Sequence, residues 1–575
     1  MRVMIQLLVV GSVSLSAQTT CNNTPAYTPC EIAFDVAGAE ARANPDPYST
    51  VAVQAEFRSP RFRTFLMPAY WDGRQMVLRF TPTEAGEWIY RITSSLASLD
   101  GKQGHFTAAA SEAPGFVHVA NVHHWQTDDK QAHLWIGDIA DRFAFLSPEE
   151  AQNKLAATVQ NKFTHLRLSI LGGGADRARV FNGARPNAAY FAELDRRILE
   201  VNRKGIVADL VLASDPAYVT ALLPGWAERE RFVRYLAARY APMNVTWQGL
   251  GEFEDFQGGR ALLKELGLAI KKHDPYQHPR SSNARITSSP LLGDGWMDYV
   301  ISRSLSAEDD AMGAVEHQLY PAPFIGVTSA KRLWNTTMNG QYPMFEGSQE
   351  KEARYWFEFI SDSRHWEMEP FFGVDGARAV ALDGVEYIVY VDRSGPIEVE
   401  TEKHGYDVRW FNPLTGEAID EKKKYHGEHF TGERPDSAHP WVLLVSREGR
   451  KESMLRSYKF ESRLLLMQEV ESATGVVPFD MVAPTGDILD TTTPVAYSVK
   501  IKRDTRATRA MVYLWTGEVA ADGQGLRVLG AGPKGTFRIP ETIAANYPAV
   551  FSLRVTALNA NGKAYAADRV FQVNK

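Results

Sequence analysis

Cysteine is almost missing from this chain: Cys21 and Cys30 are the only two in 575 residues. No further Cys or His lies beside them, so the pair does not read as a metal or catalytic centre. Long apolar runs are missing too. Beyond the first 17 residues no segment reaches the roughly 20 apolar residues of a membrane-spanning helix. An excess of basic charge is absent: 63 Lys and Arg stand against 69 Asp and Glu, a formal net charge of -6. With no basic tract either, a nucleic-acid partner is not expected. The first strand-to-helix turn has no glycine fingerprint for phosphates, and "LGGGAD" is only a glycine-rich loop. Neither a Ser-His-Asp order nor a nucleophile elbow is present. No cofactor or metal site is expected, the oligomeric state is not legible, and no internal repeat period stands out.

What is present begins with "MRVMIQLLVVGSVSLSAQTT", one Arg, an apolar run and small residues to Ala17. It reads as a signal peptide over residues 1–17, which predicts a secreted or periplasmic protein. In that oxidising space Cys21 and Cys30, close together in sequence, are expected to form a disulfide. The length predicts about three to four domains.

Residues 18–112 alternate apolar and polar positions in "STVAVQAEFRS", "RQMVLRFTP" and "GEWIYRITSS", the pattern of an antiparallel β-sandwich. Over 113–373 strand-like runs alternate with amphipathic helices. "SPEEAQNKLAATVQNKF" opens with Ser147, Pro148 and Glu150, a capping box with Pro at the first helical position. Eight runs are assigned as strands: "HLWIGD", "HLRLSIL", "IVADLVLAS", "NVTWQGL", "PRSSNA", "MDYVISRSL", "YPMFEG" and "EPFFGV". This predicts a (β/α)8 TIM barrel. Residues 374–450 and 451–575 lose the helical period and read as two further β-sandwiches, the last immunoglobulin-like.

"FLMPAYWDGRQMVLRFTPTEAGEWIYRI" with "LDGKQGHF" resembles the N-terminal β-sandwich of a group of secreted bacterial glycoside-hydrolase-like proteins. "VRWFNPLTGE" resembles the sandwich that follows their barrel, a type sometimes labelled collagen-binding. The resemblance implies a clan A glycoside hydrolase, with a Glu general acid/base on strand four and a Glu nucleophile on strand seven. "WQGLGE" matches the fourth-strand pattern and gives Glu252, with Gly251 where the family has Asn; "PMFEG" gives Glu346. Two carboxyl groups about 5–5.5 Å apart would suit a retaining mechanism on a poly- or oligosaccharide. The same resemblance implies substrate-side roles for Asp138, Arg167, His317 and Tyr320. Arg167 is read either as the group that holds the nucleophile or as an ion-pair partner of Asp138. Trp247, Trp334, Trp356 and Trp366 are candidates for stacking on sugar faces, with core packing as their other reading. "HHWQTDD", His123 to Asp129, reads as solvated loop. A different class remains open: a non-catalytic carbohydrate-binding protein on a degenerate barrel. The separating observation is whether Glu252 and Glu346 face each other across the barrel mouth.

Overall fold

The computed structural model describes residues 18–251, 253–285, 287–303, 312–346, 351–449, 479–490, 493–501, 511–516, 527–531, 534–539, 549–558 and 564–574. The expected signal peptide lies outside them.

An eight-stranded parallel sheet is the centre of the molecule. Its strands, in chain order, are Gly137–Ile139, His165–Ser169, Val207–Ala213, Val245–Leu250, Arg280–Ser281, Val300–Arg303, Phe324–Thr328 and Gln341–Phe345. In space they run five, four, three, two, one, eight, seven, six. The seam between five and six is closed by the Asp298 and Tyr299 amides, which donate to the Arg280 carbonyl at 2.8 and 3.4 Å, and by Ser281 Oγ, which donates to the Tyr299 carbonyl at 2.7 Å. The result is a (β/α)8 barrel. Alternation along each strand sorts the side chains. Leu166, Leu168, Ala208, Leu210, Val245 and Trp247 face outward and join Phe191, Leu194, Phe232, Leu263 and Leu266 of the surrounding helices in one core. The intervening positions point into the barrel.

The strand count differs from the sequence reading at one place. "FIGVT", Phe324–Thr328, is the seventh strand, and "YPMF" is therefore the eighth, paired with the first. The expected eighth strand, "EPFFGV", is not in the barrel: Glu369–Phe371 pairs antiparallel with Arg378–Leu382 in the next domain. The helices around strand seven, Met312–Leu319 and Leu333–Met338, are short. They compress the β/α period that the reading relied on.

The capping box forms as expected: the Glu150 amide donates to Ser147 Oγ and the Ser147 amide to Glu150 Oε2, opening the helix Pro148–Gln160.

Before the barrel, two four-stranded sheets enclose a core of Phe57, Phe80, Trp88 and Phe106. Cys21 and Cys30 are joined by a disulfide at the edge of this sandwich, with a Cα separation of 4.9 Å. After the barrel, residues 369–447 form an eight-stranded antiparallel sheet system around Tyr387, Tyr406, Trp410 and Trp441. In "FNPLTGE", Asn412 Oδ1 accepts from the Leu414 and Thr415 amides and sets the turn. Among the described residues after 478, two more sheets form, of three and five strands. No helix among the described residues is long and apolar enough to cross a membrane.

Candidate functional site

A parallel barrel presents its strand ends and following loops at one mouth, where function is built. Glu346 follows strand eight and is exposed. Arg303, the last residue of strand six, donates Nη1 to Glu346 Oε1 at 2.5 Å. Register puts Arg303, Val327 and Met344 in one row, so Arg303 and Glu346 share the inward side. Arg303 Nε also reaches Asn283 Oδ1, just past strand five, at 3.4 Å.

Strand one lies beside strand eight, and its exit carries Asp141. Arg167 Nε stands 3.1 Å from Asp141 Oδ1. The guanidinium is buried, and its Nη1 has no protein acceptor. Arg167 therefore pairs with Asp141, not with Asp138, and it is Arg303 that holds Glu346. Strand seven ends at Thr328 and is followed by Ser329, so the acid expected on strand seven stands on strand eight.

Below this rim is a buried polar layer. Asp209 on strand three accepts from Thr246 Oγ1 at 2.9 Å, from Gln248 Nε2 and from Tyr299 Oη at 3.3 Å. Burial pushes its carboxyl up to about 6, against the opposing pull of Arg167 and the three donors. Gln248 Oε1 is buried without a partner.

Glu252 lies outside the described residues. The Gly251 amide before it donates to the Ala213 carbonyl at 3.0 Å. A Cβ at Gly251 would come 3.3 Å from the Ser214 carbonyl oxygen. A side chain at this position would press on the strand-three exit, where the fit is tight. Glu254, past strand four, accepts from the Arg285 amide at 2.9 Å through Oε1.

Several expected site residues stand elsewhere. Asp138 shares its outward side with Leu166 in the strand register and meets the helix Pro148–Gln160. It accepts from Lys154 Nζ and Thr158 Oγ1, both at 2.7 Å. Burial raises its carboxyl, and these partners offset that in part. Trp247 also faces outward, its Nε1 donating to Asp274 Oδ2 at 3.0 Å in the "DPYQHP" turn. Trp334, Trp356 and Trp366 are buried. None of these tryptophans offers a face to a sugar. His317 and Tyr320 lie at the opposite end of the barrel from Glu346. Tyr320 packs beside Val300, Ala322 and Phe324, where strands six and seven begin. His317 is buried against His123 and Glu369, and the ligand atoms of these three side chains lie within 4.8 Å of one another.

Sequence reasoning missed Arg303, Asp141 and Trp226. Arg303 was legible as a charge ending the apolar run "YVIS". Trp226 opens the helix Trp226–Tyr240, which returns from the mouth, and is 59% exposed.

Residues 120–356 match the apiosidase-like catalytic domain, and residues 23–95 match a domain of unknown function, DUF5060. None of the curated proteins matches the chain. Among solved structures, a proposed glycoside hydrolase of Bacteroides vulgatus superposes with a TM-score of 0.61 at 16% identity, over 74% of this chain and all of the other. A glycoside hydrolase family 5 protein of the same organism gives 0.52 at 13% identity, over 58% of this chain and 94% of its own. At these identities the shared property is the fold: this is a glycoside-hydrolase-like barrel with β-rich flanking domains.

Proposed function

We propose that the protein is a secreted glycoside hydrolase acting on a poly- or oligosaccharide by a retaining mechanism at the barrel mouth. The observation that carries the reading is the Glu346–Arg303 pair at the ends of strands eight and six, in a barrel of glycoside-hydrolase fold. Glu346 is the nucleophile in this proposal, and Arg303 orients its carboxylate. Glu252 is the general acid/base. In sequence Glu252 comes two residues after the strand Val245–Leu250, in which Thr246 and Gln248 point into the barrel. Glu346 attacks the anomeric carbon while Glu252 protonates the leaving oxygen; Glu252 then deprotonates the water that releases the sugar. Arg167 Nη1, buried and without an acceptor, would donate to a sugar hydroxyl in this proposal. The similarity to an apiosidase-like domain supports including aryl apiosides in the substrate panel.

The test is a screen of aryl glycosides and polysaccharides with wild type, Glu346→Gln and Glu252→Ala. Glu346→Gln should lose several orders of magnitude in kcat with the fold intact. Glu252→Ala should keep turnover of good leaving groups and gain from azide, since general acid catalysis contributes about 10²–10⁴-fold. NMR of early product showing inversion would refute the retaining mechanism.

The second reading, a carbohydrate-binding protein without catalysis, is favoured by two observations: the acid stands on strand eight rather than seven, and Gly251 lacks the Asn side chain. Saturable polysaccharide binding with no product from any substrate, unchanged in Glu346→Gln, would select it.

A further inference from the structure

The end of the barrel opposite the mouth holds a cluster of ring nitrogens, of which the sequence reading took His123 and His124 as solvated loop and His317 as a substrate-side residue. His123 and His124 lie at the turn of a hairpin between Val117–Ala120 and His124–Thr127. His317 comes from the helix Met312–Leu319, and Glu369 opens the first strand of the following sandwich. His124 and His317 are buried, and His123 and Glu369 are half-buried. The His123 and His317 rings are 3.9 Å apart between centroids.

Hydrogen-bond accounting leaves this cluster incomplete. His123 Nε2 is 3.1 Å from the Tyr320 carbonyl oxygen. A carbonyl can only accept, so Nε2 carries the hydrogen. In a neutral ring Nδ1 then bears a lone pair, and it points at Glu369 Oε1 from 3.1 Å. Two acceptors facing each other need a hydrogen or a metal ion between them: either the ring carries a second proton or a metal is bound. His317 has no hydrogen-bond partner at either ring nitrogen, and its Nε2 is 3.4 Å from Glu369 Oε2, which also has none. His124 Nδ1 meets Tyr342 Oη at 2.8 Å, leaving His124 Nε2 without a partner, 3.6 Å from Glu369 Oε1. The backbone also yields to the cluster: Gly340 has φ +72°, and a Cβ there would lie 2.6 Å from His317 Nε2.

We propose that His123, His317 and Glu369 form a binding site for a divalent transition metal of the zinc class, which ties the barrel base to the following sandwich. A tetrahedral zinc with arms of about 2.0–2.1 Å sets its ligand atoms about 3.3 Å apart. His123 Nδ1 stands 3.1 Å from Glu369 Oε1 and His317 Nε2 stands 3.4 Å from Glu369 Oε2, and with all three ligand atoms within 4.8 Å of one another small side-chain rotations bring them to one ion. A His whose other nitrogen donates to a backbone carbonyl is the usual outer arrangement around zinc, and His123 has it. The fourth position falls to His124 Nε2 or to water. The three ligands come from three separate segments, so the metal acts as a cross-link between the hairpin, the helix and the sandwich. The donor set of imidazoles and one carboxylate selects zinc-class ions over calcium or magnesium, which take oxygen ligands. This site is independent of the proposed chemistry at the mouth.

The experiment is metal analysis of the purified full chain by mass spectrometry, followed by Zn²⁺ and Co²⁺ titration of chelator-treated protein. The expected result is about one metal per chain, a thermal transition that falls on chelation and recovers with Zn²⁺, and visible Co²⁺ absorption of four-coordinate type. His317→Gln and Glu369→Gln should each lose metal uptake while keeping the far-ultraviolet spectrum. Should either variant not fold, the wild-type titration decides alone. Wild type that neither carries nor takes up metal overturns the proposal and identifies His123–Glu369 as a protonated pair. Uptake unchanged in both folded variants overturns it as well.

Discussion

Asp209 offers a quantitative handle on the barrel interior. Its carboxyl, buried among Thr246, Gln248 and Tyr299, lies at about 6 rather than the ordinary 3.8. The folded state therefore keeps the proton to higher pH than the unfolded chain does. Where the folded state binds more protons, stability falls as pH rises. The window runs from about pH 4 to about pH 6, and at 1.36 kcal/mol per unit the loss is about 3 kcal/mol. Asp209→Asn removes the titration and keeps the shape. Its Oδ1 still accepts from Thr246, and after an amide flip Gln248 can present the Oε1 that now lacks a partner. Near pH 4 the variant and wild type should differ little. Near pH 7.5 the variant should be the more stable by about 3 kcal/mol, roughly 6–12 °C in the barrel's thermal transition. The assay is paired thermal unfolding at several pH values, with hydrogen exchange on strands three and four to tie the change to the barrel. The chain has several domains, so one global two-state fit is unsuitable. A difference that stays constant from pH 4 to 7.5, or grows toward acid, would refute the argument.

Arg303→Met should reduce kcat about as severely as Glu346→Gln with little change in KM, because Arg303 acts through the carboxylate it orients; equal loss in KM alone would count against that role. Trp226→Ala should raise KM for a polymeric substrate by roughly 5–30-fold, the loss of about 1–2 kcal/mol of apolar contact, and leave kcat on a small aryl glycoside unchanged. Trp247→Phe should do the reverse. Buried Asp274 loses a donor, thermal stability falls by about 1–3 kcal/mol, and KM stays at its wild-type value.

A barrel with β-rich flanking parts was legible in the sequence because each has its own period: two in the β-rich parts, strand-then-helix in the barrel. The capping box at Ser147 was legible because it is local. What failed was counting and facing. "FIGVT" is five residues long between short helices, so it left no full β/α period and moved Glu346 from strand seven to strand eight. Asp138 and Trp247 occupy strand positions next to the mouth in sequence, but one step of alternation turns both toward the helices. His317 follows strand six in sequence. The helix that carries it descends, and by Leu319 the chain is back at the base. The His123–His317–Glu369 cluster combines three segments that only the closed barrel brings together, so no sequence spacing announced it.

The N-terminal sandwich is joined to the barrel by a buried charge cluster of Arg79, Asp195 and Arg239. Arg79, from the strand Gln75–Phe80, donates Nη2 to Asp195 Oδ2 at 2.8 Å and to Glu31 Oε1 at 2.7 Å, and Nη1 to the Arg239 carbonyl at 2.7 Å. Arg239 grips the same carboxylate at 2.6 and 3.1 Å and lies 4.3 Å over the Tyr70 ring. Burial pushes the Asp195 carboxyl up, and Arg79 and Arg239 more than reverse this, so it is held below the usual range. The two possible deletions are not equivalent. Asp195→Asn leaves two buried guanidiniums facing each other, with only the more exposed Glu31 as counter-ion, and should cost about 3–5 kcal/mol. Arg79→Met leaves Asp195 still paired with Arg239 and fills the space with apolar atoms. It should cost markedly less, because replacing a buried ion by a packed apolar side chain is often close to neutral. Thermal unfolding of both variants, with limited proteolysis between sandwich and barrel as a second reading, measures the order. Arg79→Met costing as much as Asp195→Asn would show that the interface depends on Arg79 packing and its bond to the Arg239 carbonyl, and the charge argument would fall.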